Sequence, residues 1–247
     1  MDTITVKQVL AFLRGGHFSH PGEEEAIELT MGFVPKNPSQ SLLDVGCGLG
    51  ETSQYLQDKG WGKVTGIDIS PAVISFARKH YPELEFHQCD ILDADKLFSN
   101  KKFDVMCLFS SFLCCQSHTD CLSTLSRITN KNGELILFDY AISADTGVKS
   151  PFIWSTTSYP FYPVDTRHIN QMLTNTGWVL KSQMDITPQM CKWYEDLMLI
   201  FDKKRGQAVE LFGESAVTTV YQAYQKLLRD LKRKDLEGII IHAVKVN

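Results

Sequence analysis

The run Leu42-Leu43-Asp44-Val45-Gly46-Cys47-Gly48-Leu49-Gly50 constrains this chain more than any other segment. An apolar strand carrying an acid runs into a turn with glycine at every second position, and a helix opens at Glu51-Thr52. Gly46, Gly48 and Gly50 lack the Cβ that would hold a ligand away from the backbone, so the turn can be sharp and closely approached. Dinucleotide-binding turns use the same physics at the spacing G-x-G-x-x-G, whereas the spacing here is G-x-G-x-G. Two further strands end in acids: Lys63–Asp68 places Asp68 18 residues after Gly50, and Leu84–Cys89 leads into Asp90-Ile91. An acid closing the second strand of a doubly wound sheet accepts hydrogen bonds from ribose hydroxyls.

This set of residues resembles the class I S-adenosylmethionine (SAM)-dependent methyltransferases. The resemblance implies that Asp44, Gly46, Cys47, Gly48 and Gly50 hold the amino-acid end of SAM, and that Asp68 with Ile69 takes the ribose. It also implies that Asp90 receives the adenine amino group with Ile91 as its apolar neighbour, and that Phe109 is a further cofactor contact. SAM is the expected cofactor and S-adenosylhomocysteine its product.

Apolar runs and helical spacings alternate through the core. Strands are expected at Ser41–Val45, Lys63–Asp68, Leu84–Cys89, Phe103–Phe109 and Glu134–Asp139, with helices near Thr52–Lys59, Pro71–His80 and Thr119–Thr129 between them. Strands alternating with helices of this length imply a mostly parallel α/β sheet. The expected fold is a doubly wound, Rossmann-like sheet of seven strands in a single domain over residues 1–247. Residues 1–40 form N-terminal helices that cap it, 41–187 the cofactor-binding core and 237–247 the last strand. About fifty residues separate the last two strands, too many for a plain connection. Residues 188–236 are therefore expected to be a helical lid over the open end of the sheet.

The formal net charge of −4 argues against a nucleic-acid backbone as the main partner. No apolar stretch reaches the length of about 18 residues that a membrane span needs. Seven cysteines, with no basic-then-apolar leader layout, point to free thiols in the cytoplasm. Cys114, Cys115, His118 and Cys121 lack the separated C-x-x-C knuckles of structural zinc sites, so they read as packing residues and no metal is expected.

Toward the C-terminus the chain is similar to the small-molecule branch of these methyltransferases, which includes the sarcosine/dimethylglycine and phosphoethanolamine N-methyltransferases. Phe138-Asp139-Tyr140 matches the end of the fifth strand in the phosphoethanolamine enzymes, which implies a substrate contact for Tyr140 and, by position, for Lys226. Their catalytic Tyr–His pair has no counterpart: no Tyr precedes Tyr55, and Ser110-Ser111-Phe112-Leu113-Cys114-Cys115 follows the fourth strand. His20 and His118 are the candidate bases in its place. Tyr159, Tyr162 and Trp193 are candidate contacts for a cationic or flat acceptor. The expected function is methyl transfer from SAM to a small molecule by direct in-line displacement, with an amine nitrogen among the acceptors, in a monomer or homodimer. The alternatives are a protein or nucleic-acid methyltransferase and a non-catalytic SAM-binding protein. Phe109-Ser110-Ser111-Phe112 lacks the N/D-P-P-Y tetrapeptide that the first alternative calls for.

Overall fold

The computed structural model describes residues 3–143, 152–153 and 160–246. Two helices, α1 (Thr3–Arg14) and α2 (Glu23–Met31), lead into β1 (Ser41–Val45), α3 (Glu51–Asp58), β2 (Lys63–Asp68), α4 (Pro71–His80) and β3 (Glu85–Gln88). A short 3-10 turn and α5 (Ala94–Leu97) precede β4 (Phe103–Phe109), α6 (His118–Arg127) and β5 (Thr129–Ile142). Three two-residue strands, β6 (Phe152–Ile153), β7 (Pro160–Phe161) and β8 (Val164–Asp165), come before α7 (Ile169–Asn175) and β9 (Trp178–Asp185). The chain ends through α8 (Thr187–Phe212), α9 (Glu214–Lys232) and β10 (Glu237–Lys245).

The main sheet has the order β3-β2-β1-β4-β5-β10-β9, and β8 adds a short parallel pairing beside β5 at Ala141 and Ile142. Strands β1 to β5 are parallel to their neighbours, while β10 runs antiparallel between β5 and β9. From β1 the chain builds outward to β2 and β3, then returns to build β4 and β5 on the other side. That reversal opens a crevice at the carboxyl ends of β1 and β4, the position where ligands bind in open α/β sheets.

Alternating side chains divide the strands between two cores, as the two-residue period of a pleated strand requires. Leu42, Val105, Cys107, Ile136, Phe138 and Ile240 face a layer built from α1 to α4 and from α8 and α9. Leu43, Met106, Leu108, Leu135, Leu137 and Ile241 face α5, α6 and α7. With both faces covered, the central strands read as nearly continuous apolar runs.

Helices α8 and α9 pack as part of this core. Met190, Trp193, Tyr194, Leu197, Phe201 and Ala208 are buried along one face of α8, and Val217, Val220, Ala223, Leu227 and Leu231 along one face of α9. Lys204 Nζ donates to the carbonyls of Phe12 (3.1 Å) and Leu13 (2.9 Å), closing the end of α1, where the helix dipole favours a cation. Trp193 Nε1 donates to Glu25 of α2 at 3.0 Å. Its ring passes so close to Gly22 that a Cβ there would lie 2.5 Å from it. Helices α1, α2, α8 and α9 therefore hold together as one cap, fused to the sheet. Among the described residues no helix is long and apolar enough to cross a membrane, and no cluster of three or more His, Cys, Asp or Glu is placed to hold a metal.

Candidate functional site

The glycine turn takes the backbone its sequence demands: φ is +78° at Gly46, +56° at Gly48 and +96° at Gly50, a region that L side chains rarely adopt. The space beside each glycine is taken. A Cβ on Gly46 would meet Ser111 Cβ at 2.4 Å, and one on Gly48 would meet Lys7 Nζ at 2.9 Å and Ser19 Oγ at 3.0 Å. The turn is thus buried under α1 and the segment after it.

Asp68 ends β2 and ties the turn down. One carboxylate oxygen accepts from Gly48 N at 3.1 Å and the other from Ser70 N at 2.9 Å. A carboxylate offers about four acceptor sites, so Asp68 keeps capacity for further donors. The neighbouring Ile69 is 65% exposed, an apolar side chain without cover. Ile69, Gln88, Asp90, Asp93, Lys96 and Leu97 line an open cleft of about 540 Å³. Asp90 accepts from Leu92 N at 3.0 Å and so starts the 3-10 turn through Ile91. Ile91 is half-buried and packs against the core facing α6.

Asp44 has a different part from the other two strand-end acids. It is 1% exposed and accepts from Ser53 Oγ of α3 at 2.6 Å, joining β1 to that helix. Burial raises its carboxyl to about 7, opposed by the Ser53 hydrogen bond and reinforced by the charge of Asp68. Cys47 is buried, its thiol pushed well up by the same desolvation. Asp139, fully buried at the end of β5, accepts from Tyr140 N (2.8 Å) and Leu113 N (3.1 Å), and burial raises it to about 7.

Two serines after β4 complete the crevice. Ser111 Oγ donates to Val45 O at 2.5 Å. Ser110 has φ +53°, and its Oγ is buried with no hydrogen-bond partner. Strained backbone and an orphaned buried hydroxyl at a strand end are features that cluster where ligands bind. In the sequence this segment stands out only by what it lacks, the His of the Tyr–His pair and the N/D-P-P-Y tetrapeptide. Lys7, Ser19 and Ser110 carry no motif by which the sequence could have singled them out.

The candidates for acceptor chemistry separate into groups. His20 is buried against Phe109 and Phe138, at ring distances of 5.0 and 5.8 Å. Its Nδ1 lies 3.2 Å from the carbonyl of Pro21 and its Nε2 3.0 Å from Thr52 Oγ1. A carbonyl only accepts, so Nδ1 carries the proton and Nε2 accepts from Thr52. Desolvation lowers the imidazole to about 3. The same layer holds Tyr140 and Tyr194, whose hydroxyls bond each other, and Trp193, 6.1 Å from Phe138.

Other residues stand elsewhere. Phe109, expected as a cofactor contact, packs in the cap layer against His20. His118 stacks on Phe112 at 4.2 Å, and Phe112 belongs to the layer on the opposite face of the sheet. Burial lowers His118 as well, offset by the carbonyls of Phe112 and Tyr162. Lys226, expected at the substrate, projects from the exposed side of α9 and pairs with Asp230, because Ala223 and Leu227 form the buried face. Tyr162 is half-buried, its backbone N donating to Leu113 O at 2.7 Å. Tyr159 lies outside the described residues.

The residues around the turn suit a ligand with a nucleoside at one end and a charged group at the other. The cleft and uncovered Ile69 accept an apolar ring, Asp68 and Asp90 accept donors, and the Lys7 ammonium and Ser19 hydroxyl stand over the glycine turn at Gly48. The chain is 25% identical over 233 residues to phosphoethanolamine N-methyltransferase 3 of Arabidopsis thaliana, covering 92% of this chain and 47% of that one. It therefore spans about half the length of the curated relatives it matches. In three dimensions it resembles phosphoethanolamine N-methyltransferase 2 of Haemonchus contortus, solved with phosphomonomethylethanolamine and S-adenosylhomocysteine. The TM-score is 0.84 at 16% identity, over 99% of this chain and 58% of that one. It also resembles geranyl diphosphate C-methyltransferase of Streptomyces coelicolor, with a TM-score of 0.74 at 16% identity, over 98% and 92% of the two chains. Residues 36–204, which contain the turn, all three strand-end acids and most of α8, match the family model for a methyltransferase domain, and the chain belongs to that family.

Proposed function

We propose that this protein transfers a methyl group from S-adenosyl-L-methionine to a small-molecule acceptor enclosed between the cap and the sheet, with an amine nitrogen as the favoured acceptor atom. The observation that carries the reading is the arrangement at the crevice: a buried glycine turn tied to Asp68, with Ile69 and Asp90 lining the adjacent cleft. Family membership and the names of the relatives support it.

In this reading Asp68 takes the ribose hydroxyls, Ile69, Asp90 and Ile91 the adenine, and Gly46 to Gly50 the amino-acid end. The sulfonium, when bound, supplies a methyl group already activated for displacement, so the protein's work is alignment and exclusion of water. Trp193, Tyr140 and Tyr194 close the acceptor side with apolar surface and few free polar groups. His20 is neutral throughout the physiological range, because desolvation holds it near 3. It is a weak base there, and its role is to fix Thr52 and the aromatic wall. An amine acceptor then enters as the free base, its lone pair available without a strong base beside it. Seven free thiols and a net charge of −4 fit a cytoplasmic monomer or homodimer that does not engage nucleic acid.

The test is incubation with methyl-labelled S-adenosyl-L-methionine and a panel of small amines, carboxylates and phosphate esters. Label transferred to one class supports the reading. Binding of S-adenosylhomocysteine with no transfer to any class would favour a non-catalytic cofactor-binding protein. Efficient labelling of folded proteins or duplex nucleic acid would contradict an enclosed site.

A further inference from the structure

We infer that Lys7, on α1, binds the carboxylate at the amino-acid end of the cofactor. This rests on the cofactor reading above and assigns a residue outside the matched family region of 36–204.

The ammonium of Lys7 is at the turn itself. A Cβ built on Gly48 would lie 2.9 Å from Lys7 Nζ and 3.0 Å from Ser19 Oγ, so cation and hydroxyl converge on one point of the turn from two different segments. Among the described residues Lys7 makes no hydrogen bond, and no carboxylate comes within 4.0 Å of it. The two nearby acids are otherwise engaged. Asp68 accepts from two backbone N–H groups, and Asp44 is buried on Ser53 with its carboxyl raised by desolvation. Both feel Lys7 or one another through the same crevice: Lys7 stabilises the charge of Asp44, and Asp68 opposes it.

A half-buried ammonium without a counter-ion gains most from a ligand that brings an anion. The amino-acid end of the cofactor brings a carboxylate to a turn whose glycines allow close approach. Ser19 can donate its hydroxyl to the same carboxylate. Because Lys7 reaches the turn from α1, the contact also couples cofactor binding to the seating of the cap helix. That seating is held at its other end by Lys204 on the α1 carbonyls.

The test compares two ligands that share the thioadenosine and differ in the amino-acid portion: S-adenosylhomocysteine and 5′-methylthioadenosine. Calorimetric titration of both is carried out on the wild type, Lys7→Met and Lys7→Arg. Loss of a charge-assisted contact should weaken S-adenosylhomocysteine roughly tenfold or more in Lys7→Met and leave methylthioadenosine unchanged. Lys7→Arg should retain most of the affinity. Unchanged S-adenosylhomocysteine affinity in Lys7→Met, or equal losses for both ligands, would overturn the assignment of Lys7 while leaving the cofactor reading intact. A wild type that binds neither ligand would overturn the cofactor reading and this inference with it.

Discussion

Replacing Asp68 by alanine should have two separable effects, because one carboxylate serves both the fold and the ligand. In the free protein the change removes hydrogen bonds from Gly48 N and Ser70 N. Hydrogen bonds to a charged group contribute about 1.5–3 kcal/mol each, and the half-exposed position of Asp68 favours the lower figure. The two together come to about 3 kcal/mol, a loss that a domain with about 5–15 kcal/mol of stability survives. At this chain length that corresponds to a fall in Tm of about 6–12 °C. The ligand then loses its ribose acceptor and meets a loosened turn, a further cost of about 3 kcal/mol or an affinity about 100-fold lower. Asp68→Asn should recover part of the Tm, since its one remaining oxygen can accept from one of the two N–H groups, and little of the affinity. Thermal melts and calorimetric titration with S-adenosylhomocysteine on the three proteins read both effects. Wild-type affinity in Asp68→Ala would refute the ribose assignment. An unchanged Tm would refute the anchoring of the turn.

Gly48→Val places a β-branched side chain at φ +56° against Lys7 and Ser19, and should cost about 1–2 kcal/mol of stability and abolish S-adenosylhomocysteine binding; normal binding in titration would mean the turn only connects strand to helix. His20 is neutral in the folded protein, with its imidazole lowered to about 3 from 6.5, so the stability it contributes is full above pH 6.5 and is lost as pH falls toward 3. Denaturation at pH 7 and pH 5 should show the wild type losing about 2 kcal/mol relative to His20→Gln, and parallel curves would show that His20 is not held neutral. Hydrogen exchange in α8 and α9 should slow when S-adenosylhomocysteine binds, and equal protection in both states would count against closure of the cap on the cofactor. Deletion of residues 188–236 should unfold the protein, seen as loss of a cooperative melt, because both helices bury one face in the core shared with the sheet.

Local pattern made the parallel sheet and its order of elements legible. Leu42-Leu43 before an acid and three spaced glycines has few other uses, and the apolar runs of β2 and β4 repeat the theme. The limits of elements were less legible. Strand β5 runs over Thr129–Ile142, well beyond the apolar stretch Glu134–Asp139, because β4 and β10 pair with it on both sides and β8 extends it. Helix α8 continues through Gly206, where an interior glycine costs about 1 kcal/mol, since burial of Phe201 and Ala208 on either side outweighs that cost.

At the site, sequence spacing singled out Asp68, Ile69 and Asp90 as candidates because strand ends are local features. It did not separate Asp44 from them. Only the packing of α3 shows that Asp44 spends its carboxylate on Ser53. Lys7, Ser19 and Ser110 reach the crevice through helix placement and a strained φ, which no short-range pattern encodes. Lys226 pairs with Asp230 on the exposed side of α9 for a similar reason: each residue along a helix turns the side chain by about 100°, and the next residue, Leu227, takes the buried face.

The most direct measurement of the central claim is calorimetric titration of the wild-type protein with S-adenosylhomocysteine beside a nicotinamide dinucleotide. The G-x-G-x-G turn tied to Asp68 is expected to give saturable one-site binding of S-adenosylhomocysteine and none of the dinucleotide over the same range. Tighter binding of the dinucleotide, or no binding of S-adenosylhomocysteine, would contradict it.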